Sequence, residues 1–328
     1  MKICFLTENY HRGGLDTFTT NLINSWPNKT DQLYLACNSS HSGLHAFEET
    51  IDRPIKIIRY HSFFNMGSKV GNVKTIVRGV LYRLFQHTLI LTWHILWLGL
   101  FLRHHKFDRL MVINGGYPAS LICRSAILAW WLFMNKSGAT LNIHNSPTAT
   151  PWYFFIQEWL IDRAVIYCAS AIITVSQYCL GTIRSRAAFS KTEKLIFIHN
   201  GISDPLNESI KPPDSFLDIP YPFCLMLATY EIRKGHEHLI RAFRIVVDRC
   251  PGTVLLMYGY GSTTEQERIQ RQIKNYRLDN CVHLCGFTGH TSWLIQQAEM
   301  VVVPSQAYES FGLTIIEAMA LSTPVVRS

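Results

Sequence analysis

Ser305-Gln306-Ala307-Tyr308-Glu309-Ser310-Phe311-Gly312-Leu313-Thr314-Ile315-Ile316-Glu317-Ala318-Met319-Ala320 follows a Val-Val-Val-Pro strand end and opens a helix. A buried strand that turns at its carboxyl end into a helix is the repeating unit of a parallel, doubly wound sheet. Free N–H groups at the helix start, with Gly312 permitting close approach of the backbone, make a site for anions and hydroxyls. Glu309 stands in the loop before the helix and Glu317 about one and a half turns inside it. Two carboxylates so placed can each grip a vicinal diol. Equally, Glu309 can complement the helix macrodipole and Glu317 can be a solvated helix residue.

Outward from this segment the strand–helix alternation continues in both directions. Strand-like runs at 223–229, 253–258, 282–285 and 300–303 alternate with helical patterns at 234–249, 263–277, 291–298 and 312–321. Upstream, strands at 2–7, 32–37, 54–60, 109–113, 140–144, 171–175 and 194–199 are separated by helical patterns such as 15–26, 118–134, 152–169 and 177–186. Between the two series, Pro205, Pro212, Pro213, Pro220 and Pro222 mark a linker. The expected architecture is α/β: a Rossmann-like domain at 1–204, a Pro-rich linker at 205–222 and a second Rossmann-like domain at 223–328. Ligands are expected in a cleft between the carboxyl edges of the two sheets. The chain ends in Thr323-Pro324-Val325-Val326-Arg327-Ser328, which reads as the start of a further strand, so an incomplete second domain is expected.

At 328 residues, 48% of them hydrophobic and 16% charged, the chain is neither disordered nor a coiled coil. Nine cysteines without a CxxC pair read as buried thiols of a reducing cytosol. An acid at Glu8 comes too early for a signal peptide. The net charge of +8 is uneven: residues 1–190 hold 18 Lys+Arg against 9 Asp+Glu, and residues 191–328 hold 13 against 14. The first half therefore faces something anionic. No tract of five or more Lys/Arg and no nucleic-acid motif occurs, so no nucleic acid is expected; an anionic membrane surface or a phosphorylated substrate fits better. The apolar run at 80–102 has an uninterrupted part, 89–102, about 21 Å long as a helix, against ~30 Å of bilayer hydrocarbon. It is expected to pack on the core with a membrane-facing edge carrying Trp93 and Trp97, flanked by Arg78, Arg83, Arg103 and Lys106. His104-His105 and His236-Glu237-His238 lack the spacing of a zinc helix, no D-x-D occurs, and no metal site or cofactor is expected.

The string from Glu309 to Ala320 as a whole resembles the group 1 glycosyltransferases (glycosyltransferase family 4), whose hallmark is E-x₇-E within an E-G/S-F-G-L-x-x-x-E-A-M-A context. Five further segments resemble that family in the same order. Leu227-Ala228-Thr229-Tyr230-Glu231-Ile232-Arg233-Lys234-Gly235-His236 is similar to its strand-then-K-G segment, and Ile198-His199-Asn200-Gly201-Ile202-Ser203 to its N-G turn before the linker. Ile173-Thr174-Val175-Ser176 resembles its I-T-V-S strand end. Asn142-Ile143-His144-Asn145 and Arg12-Gly13-Gly14 resemble its His-ended strand and early glycine loop.

The resemblance implies a GT-B fold and a retaining, hexosyl-type glycosyltransferase that moves sugar from a nucleotide-diphosphate donor to a saccharide or lipid-linked hydroxyl acceptor. Surface polysaccharide or glycolipid synthesis at the inner face of a bacterial membrane is the expected setting. It implies that Glu309 holds donor-sugar hydroxyls and Glu317 the ribose, while the backbone at Phe311, Gly312 and Leu313 contacts the sugar or its diphosphate. Lys234 would neutralise the leaving diphosphate. Gly13 and Gly14 would let their loop approach the diphosphate and acceptor, and His144 would orient the reacting sugar or the acceptor. The family's Arg five residues before its Lys is here Thr229, which leaves Arg233 or Arg12 to substitute. A nucleotide-sugar epimerase of the same architecture and a non-catalytic membrane-associated remnant are the alternatives.

Overall fold

The computed structural model describes residues 1–61, 76–118, 120–134, 137–204, 222–306 and 309–328, and, within the helix that starts at Ile76, the side chains of 85 and of 87 onward. The chain divides into two compact units, Met1–Gly201 and Ile202–Ser328. Of the expected linker, all but Pro222 lies outside the described residues.

In unit 1 the strands are β1 (Lys2–Thr7), β2 (Gln32–Asn38), β3 (Ile55–Tyr60), β4 (Arg109–Asn114), β5 (Ala139–Ile143), β6 (Ala171–Thr174) and β7 (Leu195–Phe197). Its helices are α1 (Gly14–Asn24), α2 (Leu44–Thr50), α3 (Ile76–His105), α4 (Leu121–Phe133), α5 (Phe155–Cys168) and α6 (Gln177–Arg184). The strands pair in parallel in the order β3-β2-β1-β4-β5-β6-β7. Such strands are covered on both faces, which is why β1 and β4 read as nearly continuous apolar runs. The short α2 has no counterpart in the sequence expectation: seven residues are too few to display a helical period.

α4 is buried along all of Ile122 to Trp130, and α3 packs on it as an outer layer. Ile90, His94, Leu98 and Leu102, four residues apart, form the buried stripe of α3, and Leu98 and Leu102 have no solvent exposure. Phe85, Leu89, Trp93, Leu96 and Leu100 lie on the opposite side and are half or more exposed. The expected core packing of this run is present, and its outward face is apolar. Among the described residues no helix is long and apolar enough to cross a membrane.

Unit 2 contains β8 (Phe223–Leu227), α7 (His236–Arg249), β9 (Val254–Tyr258), α8 (Thr263–Asn275), β10 (Val282–Gly286), α9 (Thr291–Gln297), β11 (Met300–Val303), α10 (Leu313–Ala320) and β12 (Val325–Arg327). The parallel order is β10-β9-β8-β11-β12. Side chains alternate between two cores: Val254, Leu256 and Tyr258 of β9 join the layer with α9 and α10, while Leu255 and Met257 join Leu239, Ile269 and Ile273 of α7 and α8. Each fully buried aliphatic side chain contributes about 1.5–3 kcal/mol to holding these layers together.

In both sheets the strand order reverses once, between β1 and β4 and between β8 and β11. At such a switch point the loops leaving neighbouring strands diverge to opposite faces, which opens a crevice at the carboxyl edge.

Candidate functional site

The switch point of unit 2 brings together the loop after β8 and the loop after β11. Lys234 is not in a long helix, as the pattern 234–249 suggested. It closes a 3-10 turn, Ile232–Lys234, and Gly235 separates it from α7. Gly235 has φ +78°, and a Cβ there would lie 1.9 Å from the Pro304 carbonyl oxygen. Only glycine allows the two loops to approach this closely. Their approach sets Lys234 Nζ 2.8 Å from Glu309 Oε2, 75 residues further along the chain.

The same carboxylate oxygen accepts a hydrogen bond from Ser305 Oγ at 2.8 Å. Both side chains of the ion pair are 17% exposed. Burial pushes the Glu309 carboxyl up, but the Lys234 ammonium, the two hydrogen bonds and the Arg233 charge outweigh it, so the group titrates below its usual range. It is an anion at neutral pH. Arg233, a candidate for the missing diphosphate partner, has its Nε 2.6 Å from Glu231 Oε2, and Glu231 also accepts a hydrogen bond from Thr229 Oγ1 at 2.8 Å. Thr229, the place of the family's Arg, thus orients the acid that holds Arg233.

Gly312 precedes α10 with φ +85°, a left-handed conformation that turns the loop into the helix. Phe311 and Leu313 flank it, and Glu317 is half-buried on α10. A cavity of about 30 Å³ is lined by Lys234, Ser305, Glu309, Gly312 and Thr314. A larger apolar groove of about 840 Å³, between α7 and the β8, β11 and β12 strands, is lined by none of the expected site residues. Ala307 and Tyr308 lie outside the described residues.

Unit 1 has its own cluster at the switch point between β1 and β4. Glu8, just past β1, accepts hydrogen bonds from Tyr10 Oη at 2.8 Å and from Ser120 Oγ at 2.6 Å, and Ser120 in turn caps α4 by accepting from the Cys123 N–H. Gly13 and Gly14 open α1. Asp16 Oδ2 accepts the Gly13 N–H at 3.0 Å, and its Oδ1 accepts the Asn9 side-chain N–H at 3.0 Å and lies 3.2 Å from His41 Nε2. Gly13 has an extended φ of 177°, and a Cβ there would meet nothing within 4 Å. The fold itself therefore does not require glycine at that position.

His144 follows β5 and packs edge-on against Phe18 of α1, ring centroids 4.2 Å apart. Burial pushes its imidazole down to about 3, so it is neutral at neutral pH. Ser176 of the I-T-V-S segment caps α6, accepting the Cys179 N–H at 3.1 Å. Sequence reading did not single out Glu8, Asp16, His41, Ser120, Glu231 or Ser305. A K-G pair after a strand was the only local signal for the close approach at Gly235.

Two parallel, doubly wound units, each with a polar cluster at its switch point, define the class: the chain has the GT-B fold. The family model described as glycosyl transferases group 1 matches residues 210–328, nearly all of unit 2. The poly(glycerol-phosphate) alpha-glucosyltransferase of Bacillus subtilis (strain 168) is 28% identical over 136 residues, which is 41% of this chain and 19% of that protein. The glycogen synthase of Mycobacterium tuberculosis (strain ATCC 25618 / H37Rv) is 34% identical over 106 residues, 32% of this chain and 25% of that protein. The matched stretch thus spans a quarter or less of the length of these two curated relatives. The crystal structure of Anabaena Alr3699/HepE in complex with UDP and glucose superposes over 100% of this chain and 80% of its own, with a TM-score of 0.69 and 19% identity. At that identity the likeness establishes the shared fold.

Proposed function

We propose that this chain is a retaining glycosyltransferase that moves a sugar from a nucleotide-diphosphate donor, held by unit 2, to a hydroxyl acceptor taken by unit 1. The observation that carries the reading is the Lys234–Glu309 pair at the β8/β11 switch point, inside the group 1 match. An ammonium and a carboxylate 2.8 Å apart are the two groups a sugar diphosphate needs, one for the phosphate charge and one for the hydroxyls. Donor binding exchanges their mutual contact for two charge-assisted ones: Lys234 turns to the diphosphate and Glu309 accepts from sugar hydroxyls. Glu317 takes the ribose, and the backbone at Phe311, Gly312 and Leu313 contacts the sugar or its diphosphate. Because the fold leaves Gly13 free of steric demand, a reason for glycine there is room for a ligand beside the loop. Neutral His144 orients by hydrogen bonding rather than by charge.

In the reaction the acceptor oxygen attacks the anomeric carbon from the face the diphosphate leaves. The carbon–oxygen bond to phosphate breaks with its electron pair on the phosphate oxygen, and that oxygen takes the acceptor proton. Lys234 stabilises the charge as it grows, which lowers the barrier because the contact is stronger in the transition state than before it. The diphosphate charge is met by Lys234 and by amides at the α10 start, and the reaction uses no metal or cofactor. The acceptor is a saccharide or lipid-linked saccharide for bacterial surface polysaccharide or glycolipid synthesis. It is met by a peripheral protein at the anionic inner face of the cell membrane. Incubation with UDP-glucose, the ligand of a related fold, and then with other nucleotide sugars tests the reading. Release of nucleotide that depends on an added lipid-linked or soluble saccharide supports it. Release with a changed sugar and no acceptor requirement refutes it in favour of an epimerase.

A further inference from the structure

α5 is built inside out. Its two acids point into the protein: Glu158 and Asp162 are 6% and 2% exposed. Glu158 Oε2 meets Arg124 Nη1 at 2.7 Å and Arg186 Nη2 at 3.3 Å, and Asp162 meets Arg186 Nη2 at 2.8 Å and Tyr117 Oη at 2.7 Å. Buried carboxylates are tolerated only with such partners, and two arginines are committed to them. Meanwhile Phe155, Ile156, Trp159, Leu160 and Tyr167 occupy an outward arc of about 140° and are all exposed. Trp152, in the turn leading into the helix, is 80% exposed and Ile156 73%. A helix that faces water places these two classes the other way round.

The exposed stripe of α3 continues this surface. Gln157 Nε2 donates to Thr88 Oγ1 at 2.7 Å, and the His87 and Phe154 rings are 5.6 Å apart, so the helices meet there. Phe85 and Leu89 flank the junction on one side, Ile156 and Leu160 on the other.

We propose that the joined faces of α3 and α5 are the surface by which this protein lies on an anionic lipid bilayer, with Trp152, Ile156 and Trp159 entering the interface. This deepens the membrane-side reading of the proposed function by naming the face. Charge complementarity selects the occupant. α3 contains no Asp or Glu, and both acids of α5 are buried, so the charged side chains these helices expose are cations, among them Arg103 and Arg163. The Arg163 guanidinium carbon lies 5.9 Å from the Trp159 ring centroid, the basic–aromatic mixture suited to headgroup level. Residues 1–190 add 18 Lys+Arg against 9 Asp+Glu to the long-range attraction.

The test is sedimentation of the full chain with vesicles of phosphatidylcholine alone or mixed with phosphatidylglycerol, with tryptophan emission as a second readout. It needs no donor or acceptor, so its outcome is independent of whether sugar is transferred. The wild type is expected to sediment with the anionic vesicles, with blue-shifted emission, and to be released as salt rises. Ile156→Ser with Trp159→Ser in α5, and separately Leu89→Ser with Trp93→Ser in α3, should each weaken binding by roughly tenfold or more. Because these side chains are already exposed, urea midpoints should stay at the wild-type value, which separates lost docking from lost folding. A wild type that remains in the supernatant with anionic vesicles overturns the proposal, as do variants that sediment like the wild type. A solution dimer that the same substitutions dissociate also overturns it and assigns the face to a second copy of the chain.

Discussion

At the scale of the residue, the Lys234–Glu309 pair makes separable demands on binding and on rate. Glu309→Gln keeps the side-chain shape but removes the charge proposed to hold sugar hydroxyls. Transfer should nearly vanish while nucleoside diphosphate binding, measured by calorimetry, largely persists. Glu317→Gln should weaken nucleotide binding itself. Loss of one charge-assisted hydrogen bond costs about 1.5–3 kcal/mol, or roughly one to two orders of magnitude. Lys234→Ala should lower turnover more than donor affinity, because the leaving charge grows on the way to the transition state. Equal activity of Glu309→Gln and wild type would remove the assignment. A different residue-scale effect concerns acid stability. His236 is 1% exposed, and burial together with the Arg268 charge pushes it down to about 4, against ~6.5 in an unfolded chain. Between those values the unfolded state binds a proton that the folded state refuses. Stability should therefore fall as pH drops from about 6.5 to about 4, by about 3 kcal/mol in total from this group. Urea titrations of His236→Phe should show a shallower acid slope; a slope equal to wild type would count against it.

At the scale of the element, the turn between β8 and α7 matters more than either element. Gly235→Ala must place a Cβ into the Pro304 carbonyl oxygen and hold φ at +78°. A loss of about 2–4 kcal/mol is expected, read from the urea midpoint, together with loss of transfer as the Lys234 loop withdraws from Glu309. Gly252 is the control: its φ is +89°, but a Cβ would meet nothing within 4 Å, so Gly252→Ala should cost only about 1 kcal/mol. Equal costs would mean that the close approach is not what glycine serves at 235. α5 shows the converse case, a helix whose composition looks ordinary and whose orientation is not. Its acids are inside because Arg124 and Arg186 wait there.

At the scale of the whole molecule, charge is divided between the units, and the proposed function assigns donor and acceptor along the same division. The basic excess lies in residues 1–190, and the donor-side motifs lie in the near-neutral remainder. The proposed mechanism meets the diphosphate with Lys234 and helix amides, and the sequence contains no D-x-D that would carry it on a divalent ion. Nucleotide-sugar affinity should accordingly be the same with and without EDTA. Calorimetric affinity that collapses on chelation and returns with Mg²⁺ or Mn²⁺ would refute this.

The sequence by itself determined the two series of alternating strands and helices, because a parallel strand covered on both faces must be a continuous apolar run. It also located the loop that carries Glu309, since it follows such a run, and it put Lys234 and Gly312 at helix starts. Helix edges were less legible: Lys234 falls in a 3-10 turn rather than in α7, since capping depends on φ and ψ more than on hydrophobic period. The partnerships were decided only by the tertiary structure. Glu8 with Ser120 spans 112 residues, Lys234 with Glu309 75, and Arg124 with Glu158 34. No local pattern encodes such pairs, because the environment of a side chain is set by what the sheet order brings against it. The outward apolar face of α5 follows from the same cause: helical period reports which residues share a side, and only packing decides which side is turned to the core.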